Sequence, residues 1–525
     1  MKLPRFSPLC FASALSVISV PAFAEIDFGN IAFVGDSITQ ADGTNAVSYR
    51  YSLWKHFVDA GISYNPQGSM NIFTSGSSTS SLAPSYLGKT FNNTSEGHFG
   101  WDAAWIVSGE SQGNRPNTGQ NTGGLATWID GYDEVPDVAT VLIGINDLSR
   151  GNSNSYFSNL LANQKAIVET LQSKNENINV YVFSLLPSSQ TSWTHCETNE
   201  SPWATVLAYN SLLKEAVKTW GTEKSTVTYA DITAGFDPTN GVHTYDSLHP
   251  KAQGELLLAG NIARAFGIAQ RTVGLERRAA ISLASQTSFT KNGNAGVKVS
   301  VKSGETTREM ENSSSFWTVN TQGNIEINTT SDTAGSDIQL TWGADSGKTH
   351  EFTFSIDVKM NAVSTDSHST TNFLGILLGN GLDEVGALYI GESGVYWGGT
   401  AAANLLYGQS NDAYKDKFFT QSTNSFRVDW IGETETGAAS GFYVWLNDQL
   451  IGEALSGLVR SDVVSSYKNS LLVGDIGSAY VTFAEISEMS FDAQKAYAPS
   501  VPEPSAFGLL AGMGAIALVV SRRRR

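Results

Sequence analysis

Apolar and polar positions follow two different rhythms along the chain, and the rhythm changes near residue 278. Before that point, residues 31–34, 138–143, 178–185 and 227–229 are apolar enough to predict short strands covered on both faces. Between them, residues 49–60, 156–174, 203–220 and 252–266 carry apolar positions at helical spacing. Strand and helix in alternation predict an α/β domain, a parallel sheet with helices on both sides.

Beyond residue 278, glycine, serine, threonine and asparagine become frequent and the spacing shortens to every second residue. Phe352, Phe354, Ile356, Val358 and Met360 alternate with polar residues, as do Phe426, Val428 and Trp430. The run Phe442-Tyr443-Val444-Trp445-Leu446, then Asn447-Asp448, then Gln449-Leu450-Ile451 predicts a hairpin turning at Asn447 and Asp448. Short strands with frequent turns make an all-β sandwich the expected second domain.

The two ends carry patterns of their own. Lys2 and Arg5 precede an apolar stretch from Leu9 to about Val20, and Ala22-Phe23-Ala24 places small residues before Glu25. This is the layout of an export signal cleaved after residue 24, and the apolar run is short for a bilayer span. At the other end Val501-Pro502-Glu503-Pro504-Ser505 leads into an apolar segment and the cluster Arg522 to Arg525. Read physically, that is a short hydrophobic segment with a basic stop, with a plain membrane anchor as the alternative. The expected organisation is therefore a signal peptide at 1–24, the α/β domain at 25–275, the sandwich at 280–494, a short linker and a C-terminal segment at 500–525.

Charge and cysteine content narrow the classes. With 33 Lys and Arg against 50 Asp and Glu, the net charge is -17, and no basic stripe offers nucleic acid a surface. Contact with a membrane is expected only through the C-terminal segment. Of the two cysteines, Cys10 lies in the export signal, so Cys196 has no intrachain partner and no cysteine-rich metal site can form.

Four segments bear chemistry. Gly35-Asp36-Ser37-Ile38-Thr39 follows the first strand, where a serine can face the crevice above the carboxyl edge of the sheet. Read alone, the same turn is equally a helix cap. Gly97-His98-Phe99-Gly100-Trp101 supplies a glycine N–H, and Gly144-Ile145-Asn146-Asp147 places an amide at the end of another strand. Asp246-Ser247-Leu248-His249 sets a carboxylate three residues before a histidine, a spacing that brings it to one imidazole nitrogen while the other faces the serine.

These four segments, in this order, resemble the SGNH hydrolase (GDSL-type esterase) family over nearly all of the first domain. The resemblance implies a three-layer, flavodoxin-like parallel sheet. It implies Ser37 as nucleophile, His249 as base, Asp246 as its orienting carboxylate, and Ser37, Gly100 and Asn146 as the oxyanion hole. Glu96-Gly97-His98 with Gly100-Trp101, and Ser48-Tyr49-Arg50-Tyr51 with Leu53, look closest to acetylxylan-esterase-like members. Asp36, Trp101 and His98 are the expected substrate contacts. The route needs neither a metal nor an organic cofactor.

The C-terminal pattern resembles the PEP-CTERM sorting signal. It implies an exosortase as processing partner and a destination in the envelope or outside of a Gram-negative-type bacterium. The stretch from Tyr443 to Gly452 loosely resembles concanavalin-like (laminin-G-like) domains. The expected activity is O-deacetylation of an acetylated polysaccharide. The alternatives are a lipase or aryl esterase of the same family, or a glycan-binding envelope protein whose esterase domain is vestigial.

Other residues invite attention. Gly109-Glu110-Ser111-Gln112-Gly113 matches a nucleophile elbow, but loop-forming residues follow it where that motif demands a helix. His195 beside Cys196 lacks strand-end or helix-start context, and His56 is expected at the surface. Trp101, Trp105, Trp193 and Trp203 read equally as sugar platforms and as packing. Tyr396-Trp397 and Trp445 invite the same carbohydrate reading, with sandwich core the stronger one.

Overall fold

Ile31, Ala32, Phe33 and Val34, each no more than 1% exposed, lie in strand β1 (Ile26–Gly35) at the middle of a parallel sheet. Its partners are β2 (Ile62–Gln67), β3 (Glu96–Gly97), β4 (Val138–Leu142), β5 (Asn179–Phe183) and β6 (Val227–Ala230). All pairings are parallel, in the order β2-β1-β4-β5-β6, with β3 also paired to the carboxyl end of β1. The chain leaves the β1/β4 junction in opposite directions, so a crevice opens there beyond the carboxyl ends of those two strands.

The computed structural model describes residues 26–268 and 281–492, apart from 42–47, 72–85, 87–88, 110–122, 151–155, 194–200, 283–297, 304–305, 313–316, 320–323, 329–335, 342–351, 363–371, 381–382, 410–417, 432–439, 461–462, 465–469 and 476–481. Both terminal signals, the linker, Ser111, His195 and Cys196 lie outside the described residues.

Helices α1 (Ser37–Gln40), α2 (Tyr49–Asp59), α3 (Ala103–Ser108), α4 (Leu125–Ile129), α5 (Ile145–Arg150), α6 (Tyr156–Lys174), α7 (Pro202–Val217) and α8 (Ala252–Ala265) complete the domain. One set packs α2 on α8; the other gathers α3, α4, α5 and α7 around α6. The four long helices match the periodic stretches closely. Strand β2 was not foreshadowed, because Ile-Ser-Tyr-Asn-Pro-Gln sits on the sheet edge, where a strand needs no continuous apolar run.

The second region is antiparallel throughout. One sheet runs Trp317–Val319, Ile325–Asn328, Phe483–Asp492, Phe352–Met360, Asn424–Ile431, Gly441–Leu446, Gln449–Leu455. The other runs Leu405–Gly408, Gly394–Trp397, Val385–Gly391, Phe373–Gly379, Ser470–Asp475, Ser336–Thr341, Thr306–Asn312, Lys298–Ser303. Phe354, Ile356, Val428 and Val444 of the first share a core with Ile376, Leu378, Leu388 and Val473 of the second, which makes the pair a sandwich. The expected hairpin turns at Asn447 and Asp448, both left-handed with φ of 48° and 65°. Asn and Asp tolerate that conformation better than other side chains, which is the turn's sequence signal.

Candidate active site

The nucleophile turn is built from the end of β1. Asp36 caps α1, its Oδ1 accepting from the Ile38 N–H at 3.0 Å, and Ser37 opens the helix at 6% exposure. The carbonyl end of this one-turn helix is held by Arg50, which is 1% exposed. Its guanidinium donates to Thr39 O at 2.8 Å, Gln40 O at 3.4 Å, Asn93 O at 2.8 Å and Asn93 Oδ1 at 2.7 Å. A cation suits the negative end of a helix dipole, and its donors here are met by oxygen acceptors. Sequence reasoning placed Arg50 only in a family resemblance. Its local signal was an arginine on a helix between the buried Tyr49 and Leu53.

Ser37 Oγ lies 2.9 Å from His249 Nε2, and His249 Nδ1 lies 2.7 Å from Asp246 Oδ2. A carboxylate only accepts, so Nδ1 carries the proton and Nε2 accepts from the serine hydroxyl. The loop is self-bound: Asp246 Oδ1 accepts from the N–H groups of His249 at 2.7 Å and Leu248 at 3.1 Å. Partial burial opposes ionisation of Asp246, but the hydrogen bonds from His249 outweigh it and hold the carboxyl below its ordinary range. From outside the loop, Ser189 donates to Ser247 O at 3.0 Å and Gln190 to Asp246 O at 3.2 Å.

On the opposite side, the segment after β3 runs along the nucleophile turn. His98 N–H donates to Gly35 O at 2.9 Å and Phe99 N–H to Gln40 Oε1 at 2.9 Å. Gly100 then takes φ of 73°, a conformation that leaves little room for a side chain. Asn146 in α5 donates from Nδ2 to Trp101 O at 2.9 Å. Arg150 ties the two together: Nη2 donates to Gly100 O at 3.0 Å and Asn146 Oδ1 at 3.2 Å, while Nη1 pairs with Asp102 at 2.5 Å. With its oxygen on the guanidinium and one N–H on a carbonyl, the Asn146 amide has a single orientation, and its second N–H is not spent on either partner.

Three expected substrate contacts are corrected by burial. His98 is 0% exposed, its ring between Trp101 (4.7 Å) and Trp128 (4.5 Å) and its Nε2 at 2.5 Å from Glu96. The same carboxylate accepts from Ser69 N–H, Ser69 Oγ and the Tyr132 hydroxyl, so His98 belongs to a buried polar hub beneath the loop. Trp101 is 3% exposed and packs on that ring. Asp36 is 1% exposed and spends its carboxylate on the cap, with burial lifting its pKa to about 7. Trp203 is buried, Trp105 and Trp193 pack against the core, and His56, expected at the surface, is half-buried. Among the described residues, the exposed aromatic groups are Phe99, just before Gly100, and Tyr245, whose ring stacks on His249 at 5.6 Å and 14°.

Residues 31–262 match the family described as GDSL-like lipase/acylhydrolase, and residues 500–525 match the PEP-CTERM protein-sorting motif. The first domain is therefore similar to GDSL-type (SGNH) hydrolases, and the C-terminal segment to a sorting motif. That motif implies exosortase-type processing and supports export to the envelope of a Gram-negative bacterium. Similar solved structures include a carbohydrate esterase family 3 protein from Talaromyces cellulolyticus, 26% identical over 45% of this chain and 95% of that one, with a TM-score of 0.34. An acetyl esterase variant with acetate ion is 25% identical over 45% and 95%, with a TM-score of 0.33. A family 3 carbohydrate esterase from Clostridium thermocellum is 24% identical over 45% and 93%, with a TM-score of 0.32. The comparison with curated proteins returns no match.

Proposed function

We propose that the protein is an exported serine esterase that removes O-acetyl groups from a polysaccharide. The observation that carries the reading is the continuous relay from Ser37 through His249 to Asp246 at the carboxyl edge of the sheet. His249 takes the hydroxyl proton as Ser37 attacks the ester carbonyl, and Asp246 steadies the imidazolium that forms. Negative charge on the carbonyl oxygen is met by the N–H groups of Ser37 and Gly100 and the amide of Asn146. His249 returns the proton to the departing sugar hydroxyl, leaving an acetyl-enzyme. Water, deprotonated by the same imidazole, then releases acetate and restores Ser37.

The polysaccharide half of the proposal is supported by two exposed aromatic faces, Tyr245 stacked on His249 and Phe99, whose backbone is bound to Gln40 of the nucleophile helix. Such faces suit sugar rings, and the sorting motif directs the protein to where polysaccharide is met. The sandwich, which we read as concanavalin-like, is assigned to the same assembly. The test is acetate release from acetylated xylan by the full chain beside its Ser37→Ala variant. Release that disappears with Ser37 supports both chemistry and substrate. Ser37-dependent cleavage of a small aryl acetate without action on xylan keeps the esterase and discards xylan. Inactivity on both overturns the reading.

A further inference from the structure

We infer that the β-sandwich is the brace of the catalytic histidine loop, gripping its root so that Asp246 and His249 stay registered on Ser37. The inference rests on Ser37 and His249 being the reacting pair, and concerns what holds one of them in place.

The loop is closed at its base. Thr244 bridges to Pro250, Tyr245 N–H donates to His249 O at 3.1 Å, and Lys251 N–H donates to His243 O at 2.8 Å. Whatever fixes His243 and the first turn of α8 therefore fixes the segment between them, with the base near its end. His243 is 0% exposed. Its Nδ1 accepts from the Asp237 N–H at 2.9 Å, which leaves the proton on Nε2, and Nε2 donates to Leu406 O of the sandwich at 3.1 Å. Gln253, in the first turn of α8, donates to the same carbonyl at 3.2 Å and also to Ile451 O. One sandwich carbonyl thus receives a donor from each side of the loop.

Packing makes the grip firm. Leu257 of α8 is 0% exposed and belongs to the core of the sandwich, alongside Phe442, Val444 and Ile451. Leu256 packs with Ile431, Tyr443, Trp445 and Leu450. Ahead of the loop, Gly235 has φ of 75°, and a Cβ there would lie 2.3 Å from the Tyr407 ring. Gly408 N–H donates to Gly235 O at 2.9 Å beside it. A tethered module meets its neighbour over a modest polar patch, whereas here one domain's helix completes the other's core.

Two full-chain variants test the brace without touching Ser37, Asp246 or His249. Gln253→Met keeps helix preference and length but loses both cross-domain donations; Tyr407→Leu removes the ring packed on Gly235. Each is assayed on an aryl acetate, with circular dichroism confirming the fold. In parallel, the low-field proton resonance of the His249 Nδ1–H···Asp246 hydrogen bond is followed. The brace predicts a kcat loss of about tenfold or more, KM little changed, and a broadened or lost resonance, since small misplacements near the chemistry are costly. Unchanged kcat and an intact resonance, with only a lower melting temperature, would overturn it and leave the sandwich a stabilising appendage. Activity surviving in Ser37→Ala would sink the esterase reading instead, while the resonance would still report on the brace.

Discussion

The two sides of the candidate site are held by different means. On the donor side, Gly100 and Asn146 are fixed from within the hydrolase domain by Arg150, and the loop beneath them by the buried hub of Glu96 and His98. On the base side, Asp246 and His249 sit on a more exposed loop, their side chains 36% and 21% accessible, whose root is tied to the second domain. Donors proposed for an oxyanion must not move as charge develops, so a buried, hydrogen-bonded support suits them. A base must meet substrate and solvent, so its rigidity has to come from the root of the loop. On the proposed brace, the appended sandwich bears on the base side, while Gly100 and Asn146 are tied by Arg150 within their own domain.

The largest effect that separates the halves is expected at Asn146. Asn146→Ala removes a donor, and kcat on an aryl acetate should fall by about 10²–10³ with the melt unchanged. The His249–Asp246 resonance should persist, because nothing on the base side has been altered. A loss of less than about tenfold would mean that Asn146 does not face the oxyanion.

Next in size is Arg150→Gln, which leaves both donors in the chain but removes the guanidinium that positions them. Here kcat should fall by about 10–10²-fold with KM nearly constant, the signature of misplacement and not of lost binding. Arg150→Lys should restore little, since an ammonium cannot reproduce the planar fork that reaches Gly100, Asn146 and Asp102 together. Full rescue by lysine would reduce Arg150 to a source of charge.

Much of this arrangement was legible before any coordinates. Strands β1 and β4 are buried along their length and β5 over most of it, so they announce themselves as apolar runs, and α2, α6, α7 and α8 are long enough to show their period. The helices α3, α4 and α5, with five or six residues each, are too short for that. In the site, Ser37, Asp246 and His249, which the geometry joins, stand in segments that follow a strand end or precede a helix. The burial of His98 and Trp101 could not be read in this way, because both rings pack on Trp128, a residue remote from them in sequence. The junction did leave a trace. Residues 254–263 of α8 are buried without interruption, and its Leu-Leu-Leu-Ala run covers every face of the helix. A helix apolar all round must be enclosed on all sides, which is what the second domain does.

Stability against pH sharpens the contrast, because Glu255 sits in the first turn of that enclosed helix at 3% exposure. Burial lifts its pKa from 4.5 to about 8, despite a hydrogen bond from the Tyr49 N–H and the charge of Arg50. Between those values the unfolded chain gives up the proton while the native protein keeps it. The folded state then binds more protons, so its stability falls as pH rises through this window. At about 1.4 kcal/mol per pH unit, the loss is on the order of 4 kcal/mol by pH 8. Asp36, lifted to about 7, adds to the slope with the same sign. Urea denaturation at pH 5 and pH 8 should show the decline, and Glu255→Gln should flatten it.

The smallest effect concerns charge at the junction. Lys55 and Glu453 pair across it at 2.7 Å, with side chains 16% and 35% exposed. Lys55 also lies 5.5 Å from the centre of the Tyr51 ring. A half-solvated pair of this kind contributes at most about 1 kcal/mol and is screened by salt. Lys55→Ala should therefore lower the melting temperature by only a few degrees, less so at high salt, and leave kcat and the His249–Asp246 resonance untouched. The neighbouring hydrogen bonds to Leu406 O and the leucines of α8 are buried, where loss of a partner costs more. If Lys55→Ala matched Gln253→Met in its effect on kcat, the base side would be held by surface charge and not by the buried grip on its root. The distinction between the two halves of the site would then have to be redrawn.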